Sequence, residues 1–430
     1  MRERLRQGRV VRVATTGLSQ MFGFGLSMAL LAVVSLLAIP AMVAASGPRA
    51  WASIATGQAV GAVAAVVIAY GWVVTGPARI ARGDSSNRPV EYAESLSARA
   101  IICAPVAAAA CGIAALVVRD HIGLAVLGAL SAASIGMTAS WYFVGLSKPY
   151  LLLALETAPR VAGTLVGIAL MRQGWDAAAG LWGQLSGILL GVVLCSTWIL
   201  GSRLARGSWR SRRPTARVLH EQRHGVLSSA VSSLYSALPI VIVGLVALPA
   251  QPAFAVLDKL QRQISAAISP FVTVLQGWVP RGRGLALVTR VRVALVVTVV
   301  AGLALAAGLL LVGPVLVTWL GNGQIRVPFG AIALMAAVLA VGLVESVAAR
   351  ACLVAAGRMD YMARVTAVGA VIGLAMVVVL ASQWGTVGAL WGVLAGLVLR
   401  VALLLFGLRG LNDFEPAPVV LTDAEGMRQL

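Results

Sequence analysis

Apolar residues run along this chain in blocks of about twenty, each ended by a short cluster of charged, glycine or proline residues. Twelve blocks are long enough to cross a bilayer as helices, near 15–42, 52–75, 98–118, 122–146, 149–171, 177–200, 225–248, 252–279, 291–314, 327–349, 361–382 and 385–408. The joints hold helix breakers, among them Gly47-Pro48, Gly76-Pro77, Pro249 to Pro252, and Gly321-Asn322-Gly323. The first block follows a basic segment, Arg2 to Arg12, as the core of a signal peptide would. It continues to Val43, well past the roughly 7–15 residues of such a core. The pattern therefore predicts an uncleaved first span and an all-α polytopic membrane protein.

Composition excludes the soluble alternative. Of 430 residues, 60% are hydrophobic and only 11% charged, against roughly 25% charged in soluble domains. The four cysteines, Cys103, Cys111, Cys195 and Cys352, fall inside apolar blocks without metal-like spacing. They read as small core residues, and neither a metal nor a cofactor is expected.

The charge is lopsided, with 34 Lys and Arg against 15 Asp and Glu, a net +19. In a soluble protein that excess suggests nucleic acid. Here placement accounts for it. With the N-terminus in the cytoplasm, 27 of the 34 basic residues fall in cytoplasmic segments, Arg99, Lys148, Arg350 and Arg400 among them. Only Arg49, Arg119, Arg172 and Arg326 fall outside. The positive-inside rule then places both termini in the cytoplasm of a cytoplasmic-membrane protein, and no nucleic-acid partner is needed. The outer loops are too short to fold a catalytic site over a sugar, so an enzyme is not expected.

The two halves repeat. Residues 180–194 (GLWGQLSGILLGVVL) and 389–403 (ALWGVLAGLVLRVAL) share eight of fifteen positions at an offset of 209. LLAIPA (36–41) and LVALPA (245–250) have the same offset, and GTLVGIAL (163–170) and GAVIGLAM (369–376) are offset by 206. A unit of six spans is even, so the repeat is parallel: two six-helix lobes around a central cavity. The lobes would be 1–202 and 225–410, joined by a basic cytoplasmic linker at 203–224 and followed by a tail at 411–430. His220 and His224 belong to that linker and read as solvated.

Three basic residues remain inside the membrane, where charge is costly and defaults to function. The fifth span holds Glu156 and Arg160, and the eighth holds Asp258, Lys259 and Arg262. Arg160 lies about 17 Å into its span at 1.5 Å per residue, near mid-bilayer. Glu156–Arg160 and Asp258–Arg262 are each four apart, so they read either as self-neutralising pairs or as parts of a cationic patch facing the cavity. Arg160, Lys259 and Arg262 outnumber their two carboxylates, which invites an anion such as phosphate. Glu345, near the cytoplasmic end of the tenth span, reads as a coupling-ion carboxylate or as a partner of Arg350. Tyr70, Trp72, Trp141 and Tyr142 read as lining for a sugar path or as belt and packing aromatics.

Five segments carry a family resemblance: AIPAMVAASGPRAWASIATGQAVGA (38–62), YGWVVTGPARIAR (70–82), SWYFVGLSKPYLLLALETAPRVAGTLVGIALM (140–171), AFAVLDKLQRQISAAISPFV (253–272) and LVAAGRMDYMARVTAVGAVIGLAMVVVL (353–380). Together they resemble the O-antigen-type polysaccharide flippases of the multidrug/oligosaccharidyl-lipid/polysaccharide (MOP) exporter superfamily. The resemblance implies a MATE-like V of two six-helix lobes and alternating access. It implies a lipid-linked oligosaccharide, moved from inner to outer leaflet for cell-surface polysaccharide synthesis, with its (pyro)phosphate held by a central cationic cavity. Arg160, Lys259 and Arg262 are the positions that fill that role, and Glu156, Asp258 and Glu345 are the candidates for charge pairing or for coupling to H+ or Na+. Such proteins work as monomers among membrane lipids and alongside polysaccharide assembly proteins. Flippases of this kind often carry basic residues in the first two spans, whose interiors are uncharged here. Three other readings compete: a drug/cation antiporter of the same superfamily, which would want net acidic cavity groups, a peptidoglycan-precursor flippase, which commonly has two more spans, and a membrane-embedded glycan-modifying enzyme.

Overall fold

The computed structural model describes residues 2–201, 212–282 and 284–409. The tail at 411–430 and the first part of the linker lie outside them. Among the described residues the secondary structure is helical, with no strand. Eight helical segments are long and apolar enough to cross a membrane. Two of these, within Arg2–Ala69 and Met359–Gly407, are each a pair of helices joined through one glycine. Gly47 has φ 85° and ψ 170°, and Gly385 has φ 57° and ψ −130°. A Cβ is not tolerated at such angles, so glycine lets the chain leave one span and enter the next. With Thr215–Val246 and Gln251–Trp278, the described residues form twelve long helices in the predicted order.

Three boundaries differ from the hydropathy reading. Gly76-Pro77 does not end the second span. The break comes earlier, at Tyr70 (φ 46°) and Gly71 (φ 77°), and Pro77 lies within the following helix, Trp72–Arg82. Gly76 answers a packing need instead, because a Cβ there would run into the Trp141 ring. The third span starts at Arg88 and the seventh at Thr215, each ten residues before its apolar block. The polar end of the third packs on protein, and at the start of the seventh Ala216, Arg217 and His220 are exposed, so hydropathy registers neither. Tyr92 packs against Trp141 and Tyr142 with ring centroids 6.1 and 5.5 Å away. Buried Glu94 accepts from the Arg213 backbone N–H at 2.8 Å and from its Nη2 at 2.8 Å, which ties the end of the linker to the third span.

The internal repeat is a packing repeat. Gly163 and Gly167 of the fifth span face Gly180, Gly183 and Gly187 of the sixth, and a Cβ added at Gly167 would lie 2.8 Å from Gly180 Cα. In the other lobe a Cβ at Gly396 would lie 2.7 Å from Gly373 Cα. Small residues let membrane helices approach closely where no hydrophobic force drives them together.

The largest apolar core straddles both lobes, with Ile39, Met42 and Trp51 meeting Phe254, Leu257 and Leu320. Buried Gln251 Nε2 donates to Thr56 Oγ1 at 2.7 Å across the same seam. This end of the seam is sealed. Outward-facing leucines such as Leu116, 87% exposed, cover the lobes with a surface suited to lipid.

Candidate functional site

The eighth span, Gln251–Trp278, runs along the seam between the lobes. Its first turns are buried from Ala253 to Leu257, whereas Ser265 to Ala267 are exposed, so the seam is closed at one end and open at the other. Between these stretches lies a cavity of about 220 Å³. It is lined by Leu31 and Ser35 of the first span, Gln58 of the second, Arg160 and Thr164 of the fifth, and Gln184 of the sixth. Asp258, Lys259 and Arg262 complete the wall from the eighth. The three basic residues picked out from sequence thus share one cavity with one carboxylate.

Their partners differ. Arg262 is committed: Nε and Nη2 donate to Asp258 at 2.8 and 3.2 Å, and Nη2 also donates to the Ser236 carbonyl at 2.7 Å. Among the described residues Arg160 has one ion pair, a long one of 3.7 Å to Glu156. Among the described residues Lys259 forms no ion pair, and its Nζ donates to Gln58 Oε1 at 3.2 Å. Gln58 Nε2 in turn donates to Gln184 Oε1 at 3.3 Å, so an amide relay joins a C-lobe cation to two N-lobe spans. Asp258 is neutralised by Arg262, which leaves Arg160 and Lys259 as the under-compensated charges.

Glu156 is not part of the cavity wall. It is buried in a π-helical turn, Leu153–Thr157, ahead of Pro159, whose missing N–H breaks the regular α pattern. Its Oε2 accepts from the Ala139 N–H at 2.8 Å, where the fourth span restarts after a break at Ile135–Met137. Arg99 Nη1 donates at 2.7 Å to the Thr138 carbonyl, the other end of the same peptide group. These two charges satisfy backbone groups that an interrupted helix leaves open. Glu345 lies in a different cavity, and its partner is Arg400 at 3.4 Å rather than Arg350.

Sequence reasoning missed four residues here. Arg99 and Arg400 were assigned to the cytoplasmic face, yet they are 0% and 6% exposed inside the bundle. Arg400 had a signal: in the repeat alignment it replaces Gly191. Gln58 and Gln184 carry no charge and so escaped a search for ionisable groups, although each is an amide within an otherwise apolar span. Trp72, Trp141 and Tyr142 form a buried packing cluster, with the two tryptophans 5.1 Å apart, and do not line the cavity.

No family model matches the chain, and no curated protein matches it. Solved structures do. An inward-facing multidrug resistance MATE family transporter of the MOP superfamily is 14% identical, with a TM-score of 0.67 over 90% of this chain and 96% of its own. A MOP superfamily transporter from Pyrococcus furiosus, described for the reverse polarity of its binding pocket, gives 0.59 at 14% identity, over 90% and 94%. A MATE in the bent conformation gives 0.55 at 15% identity, over 92% and 95%. The fold is that of the MOP transporters. The chain's long apolar helices mark a multi-pass membrane protein, and in this fold the seam cavity lies between two six-helix lobes. Identities this low carry the architecture and leave the cargo to be argued from the cavity.

Proposed function

We propose that the chain is a flippase that carries a polyprenyl-(pyro)phosphate-linked oligosaccharide from the inner to the outer leaflet by alternating access, for cell-surface polysaccharide synthesis. The observation that carries this reading is the charge of the seam cavity: Arg160, Lys259 and Arg262 against Asp258 alone, with Asp258 already paired. An uncompensated cation in a low-dielectric cavity favours an anionic ligand, and Arg160 offers the planar donor fork that suits phosphate. Lys259 adds a point charge, and Gln58, Gln184 and Thr164 supply neutral donors and acceptors for sugar hydroxyls. The lipid phosphate would enter from the open end of the seam, and rocking of the lobes would exchange the open and sealed ends. An inside-negative potential assists outward movement of each negative charge by about 2.3 kcal/mol per 100 mV. The lobes would be 1–202 and 225–410, both termini cytoplasmic, with Glu345 as the carboxylate for a coupling H+ or Na+.

The test is cellular. Replacing Arg160 and Lys259 together by Glu should reduce surface glycan to the level of a deletion strain, and a lipid-linked intermediate should accumulate. Intact export in that double variant would sink the phosphate site. A drug/cation antiporter shares the fold equally well. The cavity charge weighs against it, as an organic cation would meet Arg160 and Lys259 with no free carboxylate. The Pyrococcus furiosus transporter, described for its reversed pocket polarity, supports weighing pocket charge ahead of fold. A changed drug-susceptibility profile in the deletion strain, without loss of glycan, would favour the antiporter. Accumulation of a peptidoglycan precursor would identify the third candidate.

A further inference from the structure

The space between the first and fifth spans does not end with the cation cavity. That cavity touches Leu31 to Ser35 and Arg160 to Thr164, and a second groove of about 890 Å³ continues along the same two helices toward their extracytoplasmic ends. Leu37, Ala41 and Ala44 form one wall, Leu165 and Ile168 the other, and Trp319 of the opposite lobe borders it. Arg160, Thr164, Ile168 and Arg172 succeed one another four residues apart, so one ridge of the fifth span runs from the first space to the second. The groove is apolar over its length and polar at its outer rim, where Arg172, Gln173 and Asn322 lie. Arg172 is exposed and, among the described residues, forms no ion pair. Trp175 and Trp319, 60% and 44% exposed, border the groove, as tryptophans do at a membrane–water interface. The volume lies within the range of sites that enclose a ligand of several hundred daltons. An apolar slot with a lone cation at its headgroup end complements a hydrocarbon chain with an anionic head. A glycan would find no partners along its walls, and an organic cation would meet Arg172.

We propose that this groove is an outer-leaflet site for a polyprenyl phosphate, with the isoprenoid chain between the first and fifth spans and the phosphate on Arg172. The identity of the lipid rests on the flippase reading above. The groove then marks where the lipid phosphate stands on the outer side, about 18 Å along the fifth span from Arg160.

The experiment uses the full chain in phosphatidylcholine nanodiscs and farnesyl phosphate bearing a benzophenone at the far end of its chain. Photolabelling followed by peptide mapping should place the label within 37–45 or 165–172. Arg172→Glu should reduce that label about tenfold, the effect of losing a charge-assisted hydrogen bond, whereas Arg172→Lys should retain most of it. Both substitutions are at an exposed helix end, and an unchanged melting temperature will confirm that each variant is folded. Equal labelling by benzophenone-farnesol, or unchanged labelling of Arg172→Glu, would overturn the proposal. Displacement by millimolar inorganic phosphate would mark a free-anion site instead, and displacement by phosphatidylglycerol a site for bulk anionic lipid; either overturns it too. The two readings fail separately. Loss of groove labelling while export still requires Arg160 and Lys259 removes only the groove. Groove labelling alongside export that ignores those two cations removes the flippase.

Discussion

The fifth and sixth spans in one lobe and the eleventh and twelfth in the other are built on the same plan and end differently. In both, the later helix presents a small face every fourth residue: Gly183, Gly187 and Gly191 in the sixth span, Gly388, Gly392 and Gly396 in the twelfth. Close approach follows in both, as the positions a Cβ would reach make plain. One step further the copies part. Where Gly191 lies against the Glu156 backbone, its counterpart is Arg400, for which Gly369 leaves room. The Arg400 guanidinium lies 5.0 Å from the Tyr235 ring centroid and 3.4 Å from Glu345. Both lobes share the close helix packing and carry charge in different places. In the C-lobe, buried Arg400 has a partly buried carboxylate, Glu345. At the seam, Arg160 faces the cavity with one long pair, 3.7 Å to Glu156, and Lys259 has no ion pair among the described residues. The partner, more than the depth, separates a structural charge from a binding one.

The largest effect should come from breaking the C-lobe pair. Arg400→Gly restores the residue of the N-lobe repeat but leaves partly buried Glu345 without its cation and empties the space that Arg400 fills, which should cost about 3 kcal/mol, the low end of the penalty for breaking a buried pair. Thermal unfolding of the purified protein in detergent should show a clear drop, and adding Glu345→Gln should recover most of it. A single variant as stable as the parent would mean that the pair contributes no such constraint.

A smaller loss should follow from widening either helix crossing. Gly183→Val sets a side chain against the Gly163 carbonyl, and Gly392→Val sets one 2.5 Å from the Val377 amide nitrogen. Overpacking of this kind costs about 1–3 kcal/mol, and the two variants should lose similar amounts. Tolerance of the substitution in one lobe alone would show that the crossings are not equivalent.

Much of this was legible in the chain because lipid enforces simple rules. Spans of fixed length, breakers at the joints and basic residues on one side recover twelve helices. Arg160, Lys259 and Arg262 stood out because charge inside an apolar block has few structural excuses. Other features needed three dimensions. Arg99 and Arg400 fall near the ends of the apolar blocks 98–118 and 385–408, so a linear count treats them as topology markers although each is enclosed by neighbouring helices. The polar first turns of the third span bury themselves against protein, which hydropathy does not register. Glu156 looked like half of a site, but its hydrogen bond to Ala139 serves a break in another span, and no local pattern announces that.

The smallest expected change in stability is the most informative about function. Lys259 differs from Arg400 in having no carboxylate partner among the described residues and only a neutral acceptor, Gln58 Oε1. Lys259 is partly buried in the cavity wall, and replacing a poorly compensated charge there by an apolar residue of similar volume is often neutral or stabilising. Lys259→Met should therefore leave the melting temperature unchanged or raise it, within about 1 kcal/mol of the parent, because Gln58 keeps its bond to Gln184. The same variant should lose glycan export, since the charge that met the phosphate is gone. Stability retained with transport lost would match a binding site held at some expense to the fold. A loss of stability as large as that of Arg400→Gly would instead make Lys259 a structural cation, and the seam would then hold Arg160 as its one under-compensated charge.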